Sequence, residues 1–247
     1  MKKRWMSGTL ALLLAGTTVA SMMPAVSVKA EGNTATGTTY YVDSKEGKNS
    51  NDGTAENKAF QTLDKVNELN LEPGDTVLLK KGSVFEDQAL KFTKEDSGTV
   101  EAPVKISTYG EGSRPQINTN GHGLWELNYG TPLDNQNHKW KGTVSSSILI
   151  EDAEYLEIEG LELTNDRNSA TDTEKDKAYN DAYAMDRTGV AGVAKDNGTV
   201  DHIVLNDLYI HDVTGNVYNK HMTNGGIYFI MEKPTNEATT GVARYND

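Results

Sequence analysis

The chain has 247 residues and no cysteine, and it sets 24 Lys and Arg against 36 Asp and Glu for a formal charge of −12. That balance argues against nucleic acid, whose binding rests on neutralising phosphates with Lys and Arg, and it counts against a polyanionic substrate unless cations intervene. Without cysteine no disulfide can brace the fold, so stability has to come from an apolar core.

Lys2, Lys3 and Arg4 precede the apolar run Leu10 to Ala15, and Val28-Lys29-Ala30 offers a small-residue cleavage site. Residues 1–30 therefore read as a secretory signal peptide, and the expected location is secreted, outside the cell. Those 30 residues carry four basic groups and no acidic one, so the remaining 217 residues hold 20 basic against 36 acidic groups, a charge of −16. No later stretch is long enough to span a bilayer, which speaks against membrane insertion. Residues 31–38 read as a short linker, and 39–247 as one domain.

Tyr40-Tyr41-Val42 reads as a strand, and Asn49-Ser50-Asn51-Asp52-Gly53 as a turn whose residues tolerate positive φ. Asn51-Asp52-Gly53 could contribute to a calcium site but lacks the spacing of a full calcium loop. Leu63 and Val66 share one helical face within 60–69, so a short helix is expected there, covering the open end of the core. Pro73-Gly74-Asp75 turns the chain into the strand Thr76 to Lys80, Gly82-Ser83 and Asp96-Ser97-Gly98 punctuate the next strands, and Ala102 to Ile106 continues the series.

A first insertion, Asn118 to Val144, interrupts the pattern and contains Trp125, Tyr129, His138 and Trp140. Sugars present flat apolar faces that exposed rings hold well, so Trp125, Tyr129 and Trp140 are candidate substrate-binding residues. Beyond it, Leu156-Ile158-Gly160-Leu161-Leu163-Asn165 falls on Ile203-Leu205-Asp207-Leu208-Ile210-Asp212 at an offset of 47 residues. Apolar residues alternate within each copy, but the alternation slips by one at Glu159-Gly160 and at Asn206-Asp207. A straight strand with that slip would turn half its side chains away from the core, so each copy reads as two strands meeting at a corner. A third strand precedes each corner, Ser147 to Ile150 and Gly189 to Val193, and Gly225 to Ile230 opens a further turn. Three strands per rung around an apolar centre is an all-β, right-handed parallel β-helix with an N-terminal helical cap. A second insertion, Asp166 to Arg187, is charged and reads as a solvated excursion.

Thr240 to Tyr245 parallels Gly198 to His202, yet the strands expected next are absent before Asp247. The last rungs are thus expected to be missing, the chain to be inactive alone, and a second polypeptide to be a candidate for completing the helix.

The opening motifs carry a resemblance. Asn51-Asp52-Gly53-Thr54, Phe60-Gln61-Thr62-Leu63, Pro73-Gly74-Asp75-Thr76-Val77, Ala102-Pro103-Val104 and Tyr109-Gly110-Glu111-Gly112 resemble the entry into secreted, pectate-lyase-like β-helix domains of carbohydrate-active enzymes. Tyr209-Ile210-His211-Asp212-Val213, with Lys220 and Asn224-Gly225-Gly226-Ile227, is most similar to the β-helix part of the lacto-N-biosidase family of glycoside hydrolases. The resemblance implies a glycosidase acting on an oligosaccharide of the lacto-N-tetraose type and needing no cofactor. Two alternatives stand beside it: a calcium-dependent polysaccharide lyase with a Lys or Arg base, and a β-helix that only binds glycan.

Glycoside hydrolysis needs two carboxylates, about 5 Å apart for retention or roughly 6.5–9.5 Å for inversion. Rungs about 4.8 Å apart and i, i+2 positions about 6.7 Å apart supply both spacings. Asp212, at a strand end beside His211 and ahead of Lys220, and Asp207, at the corner, are the candidates within the chain; His211 and Lys220 are candidates for binding substrate. A turn role competes for both aspartates. The resemblance implies an aspartate pair that no stretch here matches, so it is expected beyond Asp247. The five histidines lack zinc-ligand spacing, and no metal is assigned.

Overall fold

The computed structural model describes residues 37–128, 141–166, 185–195, 198–215, 224–231 and 244–246. The proposed signal peptide lies outside them. So do Tyr129, His138 and Trp140 of the first insertion, most of the second, and Lys220.

Strands follow one another in a repeating triplet. The first sheet is built from β1 (Thr39–Val42), β2 (Thr76–Lys80), β5 (Val104–Tyr109), β9 (Glu154–Glu159), β12 (Thr199–Asn206) and β15 (Arg244–Asn246), in that order and all parallel. A second parallel sheet takes β3 (Val84–Glu86), β6 (Gln116–Asn118), β10 (Glu162–Asn165) and β13 (Tyr209–Val213). The third takes β4 (Leu90–Phe92), β8 (Lys141–Glu151), β11 (Asp186–Ala194) and β14 (Gly225–Met231). One strand from each sheet makes a rung, and the stacked rungs form a parallel β-helix.

The core sits inside the three sheets because each strand alternates. Val77 and Leu79 of β2, Val104 and Ile106 of β5, and Leu156 and Ile158 of β9 are buried, with charged or polar neighbours facing out. After the corner, Leu161 and Leu163 turn back inward and are fully buried. The corner is made by positive φ at Gly160 (76°), at Asp207 (50°) in the next rung and at Gly82 (79°) in an earlier one, two residues before the equivalent positions Glu162, Tyr209 and Val84. Positive φ is cheap for Gly and tolerable for Asp, which is why these residue types occupy the bend.

The repeat at an offset of 47 holds in the register: Leu156 pairs with Ile203, Ile158 with Leu205, Leu163 with Ile210 and Thr164 with His211. It then breaks. Asn165 pairs with Val213, so Asp212 is an extra, bulged residue at φ 48°. A bulged residue leaves the ladder and re-aims its side chain, which a repeat read from residue types alone does not reveal. The start of the next rung is also displaced from expectation, since Thr199 pairs with Arg244 rather than with a residue near Gly241.

The helical cap is one short turn, α1 (Asp64–Asn67), and it buries Leu63 and Val66 against the N-terminal rungs. Asn67 Nδ2 donates to the Ala89 carbonyl, Asn67 Oδ1 accepts from Lys91 N–H, and Gln88 Oε1 accepts from Leu63 N–H, so the cap is tied to the turn between β3 and β4. At the other end, Ile203, Leu205, Leu208 and Ile210 are only partly buried, and Ile227 is 51% exposed.

The first insertion is not a loop throughout. β7 (Leu124–Asn128) runs antiparallel to the start of β8, with Leu124 opposite Ser145 and Asn128 opposite Lys141. This arm forms a second apolar cluster, with Trp125, Leu127, Val144, Leu149, Ala191 and Val193. The second insertion also ends in structure: Asp186 and Arg187 lie in β11 and are buried, where the charged composition suggests solvation.

Candidate glycan-facing surface

Strands β3, β6 and β10 bury their central residues Phe85, Ile117 and Leu163 in the helix, and β13 turns the partly buried Ile210 the same way, so their flanking residues share one outer face. On that face Glu162 Oε1 accepts a hydrogen bond from Gln116 Nε2 (2.9 Å) and lies 3.2 Å from His211 Nε2. His211 Nδ1 is 2.9 Å from Asp212 Oδ2, and the imidazole stacks on Tyr209 with centroids 4.3 Å apart. Farther along the same face, Thr164 Oγ1 donates to Asn118 Oδ1 (2.6 Å), and Asn118 Nδ2 donates to Glu86 Oε1 (2.8 Å). Asn120 Nδ2 bridges Glu86 Oε2 (3.2 Å) and Asp87 Oδ1 (3.0 Å). The result is a polar surface four strands wide, with Tyr209 half exposed at its edge.

The ring of His211 presents a nitrogen to a carboxylate on each side. The hydrogen bond to Asp212 raises its pKa above the ordinary histidine value; partial burial opposes this and Glu162 adds to it. A raised folded-state pKa means that the stabilisation is complete below the unfolded value of about 6.5 and is lost as pH rises through the folded one. Replacing His211 by Gln is therefore expected to flatten the decline in urea midpoint between mildly acidic and alkaline buffer. An unaltered decline would show that the bridge carries no linkage.

Asp207 and Asp212 lie at opposite ends of β13 and have different partners. The Asp207 carboxylate accepts from Arg114 Nη2 at 2.8 Å, a residue two rungs earlier, and that bond holds its pKa below the usual carboxylate value. A carboxylate kept ionised is poorly suited to be the general acid of a glycosidase. Asp212 faces solvent, and its contact is with His211. His211 lies in the surface just described, while Lys220, Tyr129 and Trp140 are outside the described residues.

Trp125 is placed differently from the exposed platform its loop position suggests. It is 6% exposed, its Nε1–H donates to Ser146 Oγ (2.8 Å), and its ring packs on the outer side of the third sheet. Lys195 Nζ lies 6.0 Å from the ring centroid while pairing with Glu151 at 2.8 Å. The signal for this was the alternation Trp125-Glu126-Leu127, which turns both apolar side chains to one face of a strand.

Sequence reasoning also missed Glu162, Gln116 and Arg114. Each is charged or polar on an outward strand position or corner, and nothing in its local sequence marks the partner two rungs or one strand away. Asp52 accepts from Thr54 N–H and Oγ1–H and pairs with Lys58, so Asn51-Asp52-Gly53 forms a turn around Gly53 at φ 74°. No group of three or more candidate metal ligands occurs among the described residues.

Comparison with known proteins bears on this architecture. No family model matches the chain. A lacto-N-biosidase from Bifidobacterium longum subsp. longum is 44% identical over 219 residues, covering 81% of this chain and 14% of that protein. The crystal structure of a native GH136 lacto-N-biosidase from Eubacterium ramulus superposes with a TM-score of 0.74 at 50% identity, covering 84% of this chain and 32% of that one. Its selenomethionine derivative gives 0.73 at 49%. The chain thus spans about a third of the Eubacterium structure and about a seventh of the Bifidobacterium protein.

Proposed function

We propose, from the premise that this chain is a lacto-N-biosidase-like, right-handed β-helix homologue, that it forms part of a secreted glycoside hydrolase acting on lacto-N-tetraose-type oligosaccharides. The observation that carries this reading is the joint match of fold and sequence: over the 84% of this chain that superposes, half of the aligned residues are identical to the Eubacterium enzyme. Fold alone would not suffice, since a β-helix hosts several chemistries. The acidic charge agrees with a neutral glycan better than with a uronate polymer.

Within this reading the Tyr209–His211–Glu162 surface is a place for sugar hydroxyls. A stacked aromatic edge and a row of oriented acceptors are what a pyranose needs on its apolar and polar sides. The catalytic carboxylate pair is assigned to no residue of this chain.

The test is a chimera in which residues 39–247 replace the aligned third of the Eubacterium enzyme. It should release disaccharide from lacto-N-tetraose at a rate within about tenfold of the parent, equivalent to about 1.4 kcal/mol in the barrier. It should form no ultraviolet-absorbing unsaturated sugar and should be indifferent to chelation. A folded chimera without cleavage would remove the hydrolase reading, and an unsaturated product from pectate would replace it with a lyase.

A further inference from the structure

Between α1, the turn joining β3 to β4, and the start of the β7–β8 arm lies a hollow of about 370 Å³. It is within the size range of small-ligand sites. We propose that this hollow is a second saccharide subsite, on the N-terminal rungs and apart from the Tyr209–His211 surface, that takes a neutral pyranose unit. The choice of a sugar rests on the function proposed above; the site itself rests on the following geometry.

Three walls are fixed before any ligand arrives. The α1 wall is held by the Asn67 and Gln88 hydrogen bonds that join the cap to the β3–β4 turn. The arm is drawn against that turn at Gly123, which has φ 63° and where an added Cβ would lie 2.3 Å from the Ser146 carbonyl and 2.6 Å from Ala89 Cβ. Only glycine permits so close an approach. Ser146 N–H in turn donates to the Gly123 carbonyl (3.0 Å), which locks the arm to β8. A preformed site avoids the ordering cost that weakens binding by loose loops.

The lining mixes apolar and charged groups. Leu124, 60% exposed, and the floor residue Leu149 supply an apolar patch that suits the C–H face of a pyranose. Asp64 of α1 and Lys91, which pairs in register with Leu149, add charged groups at the rim, and neither the carboxylate nor the ammonium has a hydrogen-bond or ion-pair partner among the described residues. An acceptor and a donor left open at the rim can each take a hydroxyl. Asp87 also lines the hollow, and its carboxylate accepts from Asn120 Nδ2 (3.0 Å), so the hollow borders the β3 end of the outer polar face, at the opposite end of the sheet from Tyr209 and His211. Two carboxylates against one ammonium disfavour a uronate or another anionic sugar.

The experiment titrates the full chain with lacto-N-tetraose and, separately, with digalacturonate, by calorimetry, with thermal unfolding as a check on each variant. Saturable binding of the neutral sugar is expected, with Leu124→Asp and Asp64→Ala each weakening it at least tenfold and Val100→Asp, on an exposed turn outside the hollow, leaving it unchanged. Both informative positions are at the surface, so the variants should melt like the parent. Absence of saturable binding, undiminished affinity in both hollow variants, or preference for digalacturonate would overturn the proposal. Binding that Leu124→Asp abolishes, in a chain whose chimera does not cleave, would uphold the subsite and sink the hydrolase reading.

Discussion

Replacing Leu161 by Ala is expected to lower the unfolding free energy by about 2–5 kcal/mol, the range for a leucine removed from a packed interior. Leu161 has no exposed surface and lies just after the Gly160 corner, where its carbonyl accepts from Tyr209 N–H of the next rung. Deleting its side chain removes contacts within its own rung and with both adjoining rungs, and a stacked helix cannot collapse locally to fill the gap without shifting a ladder. The matching substitution Leu208→Ala, one repeat on, should cost less, because Leu208 is only partly buried and its side chain already meets water. Urea unfolding followed by circular dichroism measures both. Equal losses would show that the partial exposure of the later rung does not persist in solution.

The larger effect is expected at Asn165. This residue is fully buried where the chain leaves β10, and its side chain satisfies groups on three segments at once. Nδ2 donates to the carbonyls of Ser145 (3.0 Å) and Thr188 (3.1 Å), and Oδ1 accepts from Gly121 N–H (2.9 Å). Asn165→Ala strands those three backbone groups, each at roughly 1–3 kcal/mol when it is left unpaired away from water. Asn165→Asp is worse in kind: it keeps the acceptor but points carboxylate oxygen at two carbonyl oxygens. An ionised Asp there would have a raised folded-state pKa, so its variant should be most stable in acid and should lose stability as pH rises through the carboxylate range. Urea midpoints at acidic and neutral pH check this. If Asn165→Ala behaves like a surface substitution, water has replaced the side chain in the turn.

Asn165 also marks how far residue types alone reach. Its role as a strand-end cap is readable from an Asn following Leu163 and Thr164, but its partners are not, since Ser145 and Thr188 come from strands on either side of it in sequence. The same holds for the outer face. Glu162 is in register with Tyr209 and Thr164 with His211, so the Glu162–His211 contact is a diagonal one. It exists because the corners at Gly160 and Asp207 bend alike and keep the two rungs aligned.

The in-and-out periodicity of Leu156, Ile158, Leu161 and Leu163, the one-residue slip at the corner and the repeat 47 residues later together determined a parallel β-helix and most of its interior, because which face a side chain takes is a local property of a strand. What only the tertiary structure decided is who meets whom across rungs and turns. The bulge that carries Asp212 out of the ladder, the folding of Trp125 onto the outer side of the third sheet, and the hollow between α1, the β3–β4 turn and the β7–β8 arm each depend on turn lengths and register. Alternation along a strand encodes neither, so the polar groups that could touch a sugar become neighbours only when the coil closes.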